Sequence, residues 1–138
     1  MGYAFYPAEV IQITDASDTV KRFVLKMPDT LQFTFQAGQF VMLDIPVSPA
    51  ETFRSYSIAS PPSHDNTFEL CISLHKEGIG TPWLWSHVQV GSVIQCTDAL
   101  GKFTLPETLE TDLCFICTGT GIAPLRSMIL DIYNRQMP

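Results

Sequence analysis

Arg54-Ser55-Tyr56-Ser57-Ile58-Ala59-Ser60 runs straight into Pro61-Pro62. It reads as a strand. Successive strand side chains point to opposite faces, so Arg54 and Tyr56 share one face and Ser55 and Ser57 the other. Arg offers a planar fork suited to a phosphate. Tyr offers a ring face on which a planar heterocycle stacks. Such a strand suits a large ligand with a flat end and a charged middle. Taken alone, it reads more readily as a barrel strand with a surface Arg and a half-buried Tyr.

Working outward, two glycine-bearing segments each open a predicted helix. The first is Gly78-Ile79-Gly80-Thr81-Pro82-Trp83-Leu84, with Thr81 as N-cap and Pro82 at the first helical position. The second is Thr118-Gly119-Thr120-Gly121-Ile122-Ala123-Pro124, between the apolar run Leu113–Cys117 and LRSMILDIY. Helix N-termini carry unpaired amides and a partial positive charge, so both segments suit phosphates. The plainer readings are a capped turn and a strand-to-helix connection.

The remaining chain reads as strands joined by short turns. Ala8–Ile13 is a strand, Asp15–Asp18 a turn, and Val20–Met27 a strand with Phe23, Leu25 and Met27 on one face. Gln39–Ile45 is a buried strand, Pro46–Glu51 a loop, and Arg54–Ser60 the ligand strand. Thr67–His75 alternates with Phe68, Leu70, Ile72 and Leu74 inward. Trp83–Val88 is a short helix ended by Gly91, and Ser92–Thr97 a further strand. The pattern changes near Pro106. There an apolar strand, a glycine turn and an amphipathic helix make one β–α unit. The predicted class is all-β: a six-stranded antiparallel Greek-key barrel with one short helix, then the first β–α unit of a truncated α/β domain. The boundary is set at 1–106 and 107–138.

Length and charge narrow the function. A chain of 138 residues fits one domain by size. With 46% hydrophobic and 16% charged residues it is globular rather than disordered. Net charge is −6, which argues against general nucleic-acid binding. Any anionic ligand must be held by local cations and amides, with Arg54 the obvious cation and Lys76 a second. No apolar run reaches the length of a membrane span, and the start lacks a signal-peptide pattern, so the cytoplasm is expected. Cys114 and Cys117 are three apart in a predicted buried strand. They face opposite sides and are read as structural, and no metal site is expected. His64, His75 and His87 read as surface or packing residues.

The ordered set RSYS, GIGT and GTGIAP, with Ala37-Gly38-Gln39-Phe40 ahead of a strand, closely resembles the ferredoxin–NADP reductase superfamily of flavoprotein reductases. The resemblance runs from about Ala8 to Arg126. It implies FAD as cofactor, favoured over FMN because the GIGT turn suits a pyrophosphate, and NAD(P)H as co-substrate. Arg54 would pair with the flavin phosphates, and Tyr56 would lie against the isoalloxazine or ribityl. Ser57 would hydrogen-bond near flavin N5, as the catalytic residue, and Ser55 would contribute mostly backbone. Cys71, Ile72 and Ser73 match the strand that follows the ribityl or adenylate. Ser73 stands where many relatives carry Arg or Lys, and Lys76 is the candidate substitute. Gly78, Ile79, Gly80 and Thr81 would cradle the pyrophosphate. Gly119, Thr120, Gly121 and Pro124 match the nicotinamide-phosphate turn. Hydride would pass from nicotinamide to flavin, and electrons on to an acceptor such as a ferredoxin or iron–sulfur domain. One strand and one helix do not make a doubly wound sheet. The chain is therefore expected to be a fragment, or part of a protein truncated or completed by another polypeptide, and inactive alone. The rival readings are a flavin-binding electron-transfer subunit without dehydrogenase activity, and a barrel used only for protein contacts.

Overall fold

The computed structural model describes residues 2–47 and 53–137. Six strands, two α-helices and one 3-10 turn lie among them. They are β1 (Phe5–Ser17), β2 (Val20–Lys26), β3 (Phe40–Asp44), β4 (Phe53–Ser57), β5 (Thr67–Ser73), α1 (Gly80–His87), β6 (Val93–Thr97), the turn Gly119–Gly121 and α2 (Ile122–Asn134). The strands form one antiparallel sheet in the order β4-β3-β6-β1-β2-β5. Strands distant in sequence are neighbours, so the connections cross the ends of the barrel, as a Greek key requires.

Alternation builds the core. Phe23 and Leu25 of β2, Val41 and Leu43 of β3, and Phe68, Leu70 and Ile72 of β5 are all buried. Leu84 of α1 plugs the barrel and is also buried. β1 serves two partners: Phe5–Glu9 pairs with β6 and Glu9–Ser17 with β2. Register shifts at Val10/Gln12 and Asp15/Ser17 bend it between them. The strand thus runs well beyond Ala8–Ile13, and the expected turn at Asp15–Asp18 shrinks to Asp18 and Thr19. Pairing with β2 holds the polar end extended, which side-chain pattern alone does not announce. The expected loop at 46–51 lies mostly outside the described residues.

Three further differences have physical reasons. The helix begins at Gly80, before the expected Trp83, and ends at His87, one residue short of the expected Val88. Its N-cap is Ile79, not Thr81, with no side-chain cap. The Thr81 hydroxyl is used elsewhere: it accepts from the His75 amide at 2.8 Å and reaches the His75 carbonyl at 3.3 Å. The apolar run 113–117 is not a strand here. Ile116 is 87% exposed, and Cys114 and Cys117 are exposed rather than buried. No neighbouring strand among the described residues pairs with this run, and an apolar sequence stays buried only where something covers it.

α2 nevertheless packs. Leu125 and Met128 bury against Ala37, with Leu105 and Phe115 alongside. Gly38 makes this possible. Its φ is +102°, and an added Cβ would overlap the Phe103 carbonyl and come within 2.5 Å of Met128 Cε. A side chain there meets both strain and a clash. The β4–β5 connection is held by polar bonds. Asn66, at φ 62°, donates to the Leu31 carbonyl at 2.7 Å and accepts from the Phe33 amide at 3.1 Å. Asp65 Oδ1 accepts from the Ser63 and Thr67 hydroxyls, both at 2.7 Å, and from the Thr67 amide at 3.0 Å. These bonds, Ser63 first, lower its carboxyl from 3.8 to about 2.

Gly38→Ala should destabilise the chain by about 2–4 kcal/mol in urea unfolding. An unchanged midpoint and slope would contradict the docking of α2 described above. A lowered carboxyl pKa contributes stability above the unfolded value, lost as pH falls through the folded one. The melting-temperature gap between the parent and Asp65→Ala should therefore be full at neutral pH and close between pH 3.8 and about 2. The carboxylate is exposed, so the gap should be small. A gap that widens on acidification would contradict this account.

Candidate functional site

The barrel closes through a single narrow seam. β4 and β5 are the two ends of the strand order. They meet by the bridge Ile58↔Leu70, and the Ala59 amide donates to the Glu69 carbonyl at 2.7 Å. On the other side of that bridge, residues 53–57 and 71–73 do not pair with each other. The seam opens into a cleft with a strand edge on each wall. Unpaired strand edges present amides and carbonyls to whatever lies between them.

The β4 wall carries the expected cluster. Arg54 pairs with Leu43 and Tyr56 with Val41. Directly opposed residues share a face, and Val41 and Leu43 are core residues, so Arg54 and Tyr56 lie on the inner face at the mouth of the barrel. Ser55 and Ser57 pair with Met42 and Phe40 and lie on the other face. Tyr56 is half-buried and packs against the core. Burial pushes its phenol pKa up, and the Arg54 charge opposes that rise. It stays neutral at physiological pH, with its ring held firmly. Arg54 is exposed and donates to the Phe53 carbonyl at 2.9 Å. One of its five donors is used there.

Arg54, Tyr56, Gly78, Ile79, Gly80 and Thr81 line one cavity of about 440 Å³. α1 opens into it with no acidic residue in its first turn and no side-chain cap. Its leading amides are therefore left without a capping oxygen, as an anion-binding helix start requires. Gly80 is what lets the cation approach. A Cβ there would sit 3.4 Å from Ile45 Cδ1 and 3.6 Å from Arg54 Cγ. A fixed cation, bare amides and a ring face meet at one cleft. This donor set fits the chemistry of a dinucleotide, which offers both phosphates and flat rings.

The other expected residues divide. Ile72 is a core residue, so only its backbone reaches the cleft. Cys71 is half-buried and Ser73 exposed at the β5 edge. Burial, followed by the Glu69 charge, raises the Cys71 pKa, so it is a poor nucleophile. Gly119, Thr120 and Gly121 form the 3-10 turn before α2, and this turn lies beside β5 rather than in the Arg54 cavity. Pro124 follows in the first turn of α2. Lys76 is exposed and does not line the cavity, whereas His75 does. By sequence His75 reads as a surface or packing residue, with contact to a ring edge as the alternative. Its proximity to Gly78 comes from the turn closed by the Gly78 amide on the His75 carbonyl at 2.9 Å. Among the described residues no cluster could hold a metal ion, and no helix is long and apolar enough to cross a membrane.

Residues 7–105 match the model of the oxidoreductase FAD-binding domain. The reductase component DmpP of phenol 2-monooxygenase from a Pseudomonas species is 32% identical over 130 residues, covering 94% of this chain and 36% of that protein. Ferredoxin–NADP reductase B of Sorangium cellulosum is 32% identical over 124 residues, covering 90% and 50%. Among solved structures, the ferredoxin NADP+ reductase of Neisseria gonorrhoeae with bound FAD and NADP superposes with a TM-score of 0.80 at 29% identity, covering 96% of this chain and 53% of that one. The Amycolatopsis cytochrome P450 reductase GcoB superposes with a TM-score of 0.83 at 28% identity, covering 98% and 41%. The chain spans between 36% and 50% of the length of these two curated relatives. Its motifs, its barrel and the match over residues 7–105 agree: the chain belongs to the oxidoreductase FAD-binding domain family.

Proposed function

We propose that this chain is the FAD-binding part of a cytoplasmic NAD(P)H-dependent oxidoreductase that passes electrons to an acceptor such as a ferredoxin or iron–sulfur domain. The observation that carries the reading is the convergence of Arg54, Tyr56 and the uncapped start of α1 on one cleft. The named relatives support the rest: one is the reductase component of an oxygenase and another a ferredoxin–NADP reductase. Four free cysteines suit a reducing compartment. Residues 1–106 form the FAD-binding part, and 107–138 begin the part that meets the nicotinamide nucleotide.

The chain's own groups have distinct tasks in this reading. Arg54 neutralises the pyrophosphate, with Gly78, Ile79, Gly80 and Thr81 around it. This matters because the protein as a whole is acidic, at −6. Tyr56 packs against one face of the flat ring and keeps water from it. Its raised pKa keeps it a neutral surface rather than a phenolate. Ser57 offers a hydroxyl at the edge of the ring system, and Ser55 its backbone. The backbone of Cys71, Ile72 and Ser73 borders the opposite wall. Gly119, Thr120, Gly121 and Pro124 receive the nicotinamide nucleotide's phosphates. FAD supplies the atom that accepts hydride and then releases electrons.

A charge-assisted hydrogen bond contributes about 1.5–3 kcal/mol. Arg54→Ala should therefore weaken FAD binding about ten- to a hundredfold in fluorescence-quenching titrations. Arg54→Lys should fall between, since it keeps the charge and loses the fork. FMN, which lacks the pyrophosphate and adenylate, should bind the parent chain more weakly than FAD. Equal FAD affinity in Arg54→Ala and parent would overturn the assignment.

A further inference from the structure

Arg126 and Ser127, in the second turn of α2, are used by neither the cleft nor the family motifs, yet both are committed to the barrel. The Arg126 guanidinium donates to the Ala59 carbonyl at 2.6 Å and lies 3.1 Å from Glu69 Oε1. The Ser127 hydroxyl is fully buried and donates to the Ser60 carbonyl at 2.6 Å. Glu69 is tied in from its own side. Its amide donates to Ser60 Oγ at 2.9 Å, its carbonyl accepts from the Ala59 amide, and Arg22 stands 3.7 Å from its other carboxylate oxygen. The Glu69 carboxylate is only 14% exposed, and Oε1, shut from solvent, has no hydrogen-bond partner among the described residues. It is held by charge, and Arg126 is the nearer of its two cations. A carboxylate placed this way is costly without its cation.

The position of this knot gives it meaning. Ala59 and Ser60 directly follow Ile58, and Glu69 directly precedes Leu70, the two residues of the bridge that closes the seam. The knot therefore sits at the closed end of the cleft. On the other side, Arg126 is five residues beyond Gly121, and the glycine turn leads straight into α2. A 13-residue helix is marginal by itself, so its placement depends on what it docks against.

We propose that Arg126 and Glu69 form a clamp that fixes α2, and with it the glycine turn 119–121, against the closed end of the flavin cleft. Arg126 is a positioning residue: it touches neither cavity nor ring and sets where the second nucleotide arrives. The clamp itself is read from contacts within the chain. Its consequence for electron transfer rests on the FAD reading above.

Hydrogen exchange on the chain without flavin tests the clamp directly. In Arg126→Ala, amides of 122–134 should exchange at least about tenfold faster while those of β1–β6 change little. Arg126→Lys should restore part of the protection, because one ammonium serves the Glu69 charge without also holding the Ala59 carbonyl. Adding Glu69→Gln to Arg126→Ala should cost less than the sum of the two single changes. FAD affinity of Arg126→Ala should stay within about threefold of the parent, and in the full-length protein reduction of FAD by NADH or NADPH should slow at least about tenfold. Unchanged α2 exchange in Arg126→Ala, strict additivity, or a loss of FAD affinity as large as that of Arg54→Ala would each overturn the clamp. The exchange arm uses no flavin, so its failure is distinct from failure to bind FAD.

Discussion

The barrel of this chain is closed by one short contact, the bridge between Ile58 and Leu70, and both halves of the molecule are arranged around it. A sheet whose end strands paired along their whole length would have no open edge and no cleft. A sheet whose ends did not meet would have no closed core. Here the end strands touch and then separate. Phe68, Leu70 and Ile72 keep the core packed, while Arg54–Ser57 and Cys71–Ser73 become the walls of an opening. The same strands thus supply both the apolar interior and the polar margin.

That opening gathers a cation and bare amides on a protein of net charge −6. The solution is local. Arg54 lies over Gly80 at the start of α1, and Thr81, which by residue type belongs on the helix cap, bonds instead to His75. The helix keeps its leading amides bare where the charge is needed. Coulomb attraction at close range within a partly dry cleft outweighs the diffuse repulsion of distant carboxylates, which solvent screens.

α2 shows the other side of the same economy of contacts. It meets the barrel through a small apolar cluster of Ala37, Leu125 and Met128, with Gly38 flattened to let it in, and through the Arg126 and Ser127 bonds. In the segment before it, 113–117, only Phe115 reaches that cluster, and Leu113, Cys114, Ile116 and Cys117 stay exposed despite their composition. Apolar sequence created the expectation of a buried strand. Pairing, which needs a neighbour, decided the outcome.

Alternation in β2 and β5, the β-rich order of elements, and the grouping of Arg54 with Tyr56 on one face were legible because strand geometry maps residue parity onto faces without reference to the rest of the chain. A short helix after the glycine-bearing turn was legible too, though not its first residue or its cap, since Thr81 had a choice of partners that only folding resolved. The length of β1 escaped the pattern because its polar end is held by β2 across a bend. The Glu69–Arg126 pair, 57 residues apart in number, left no local signal at all. Residue type and strand parity settle which residues face in and which carry charge. Which of those charges meet is settled in three dimensions, because separation in space depends on how the ends of the sheet come together rather than on spacing along the chain.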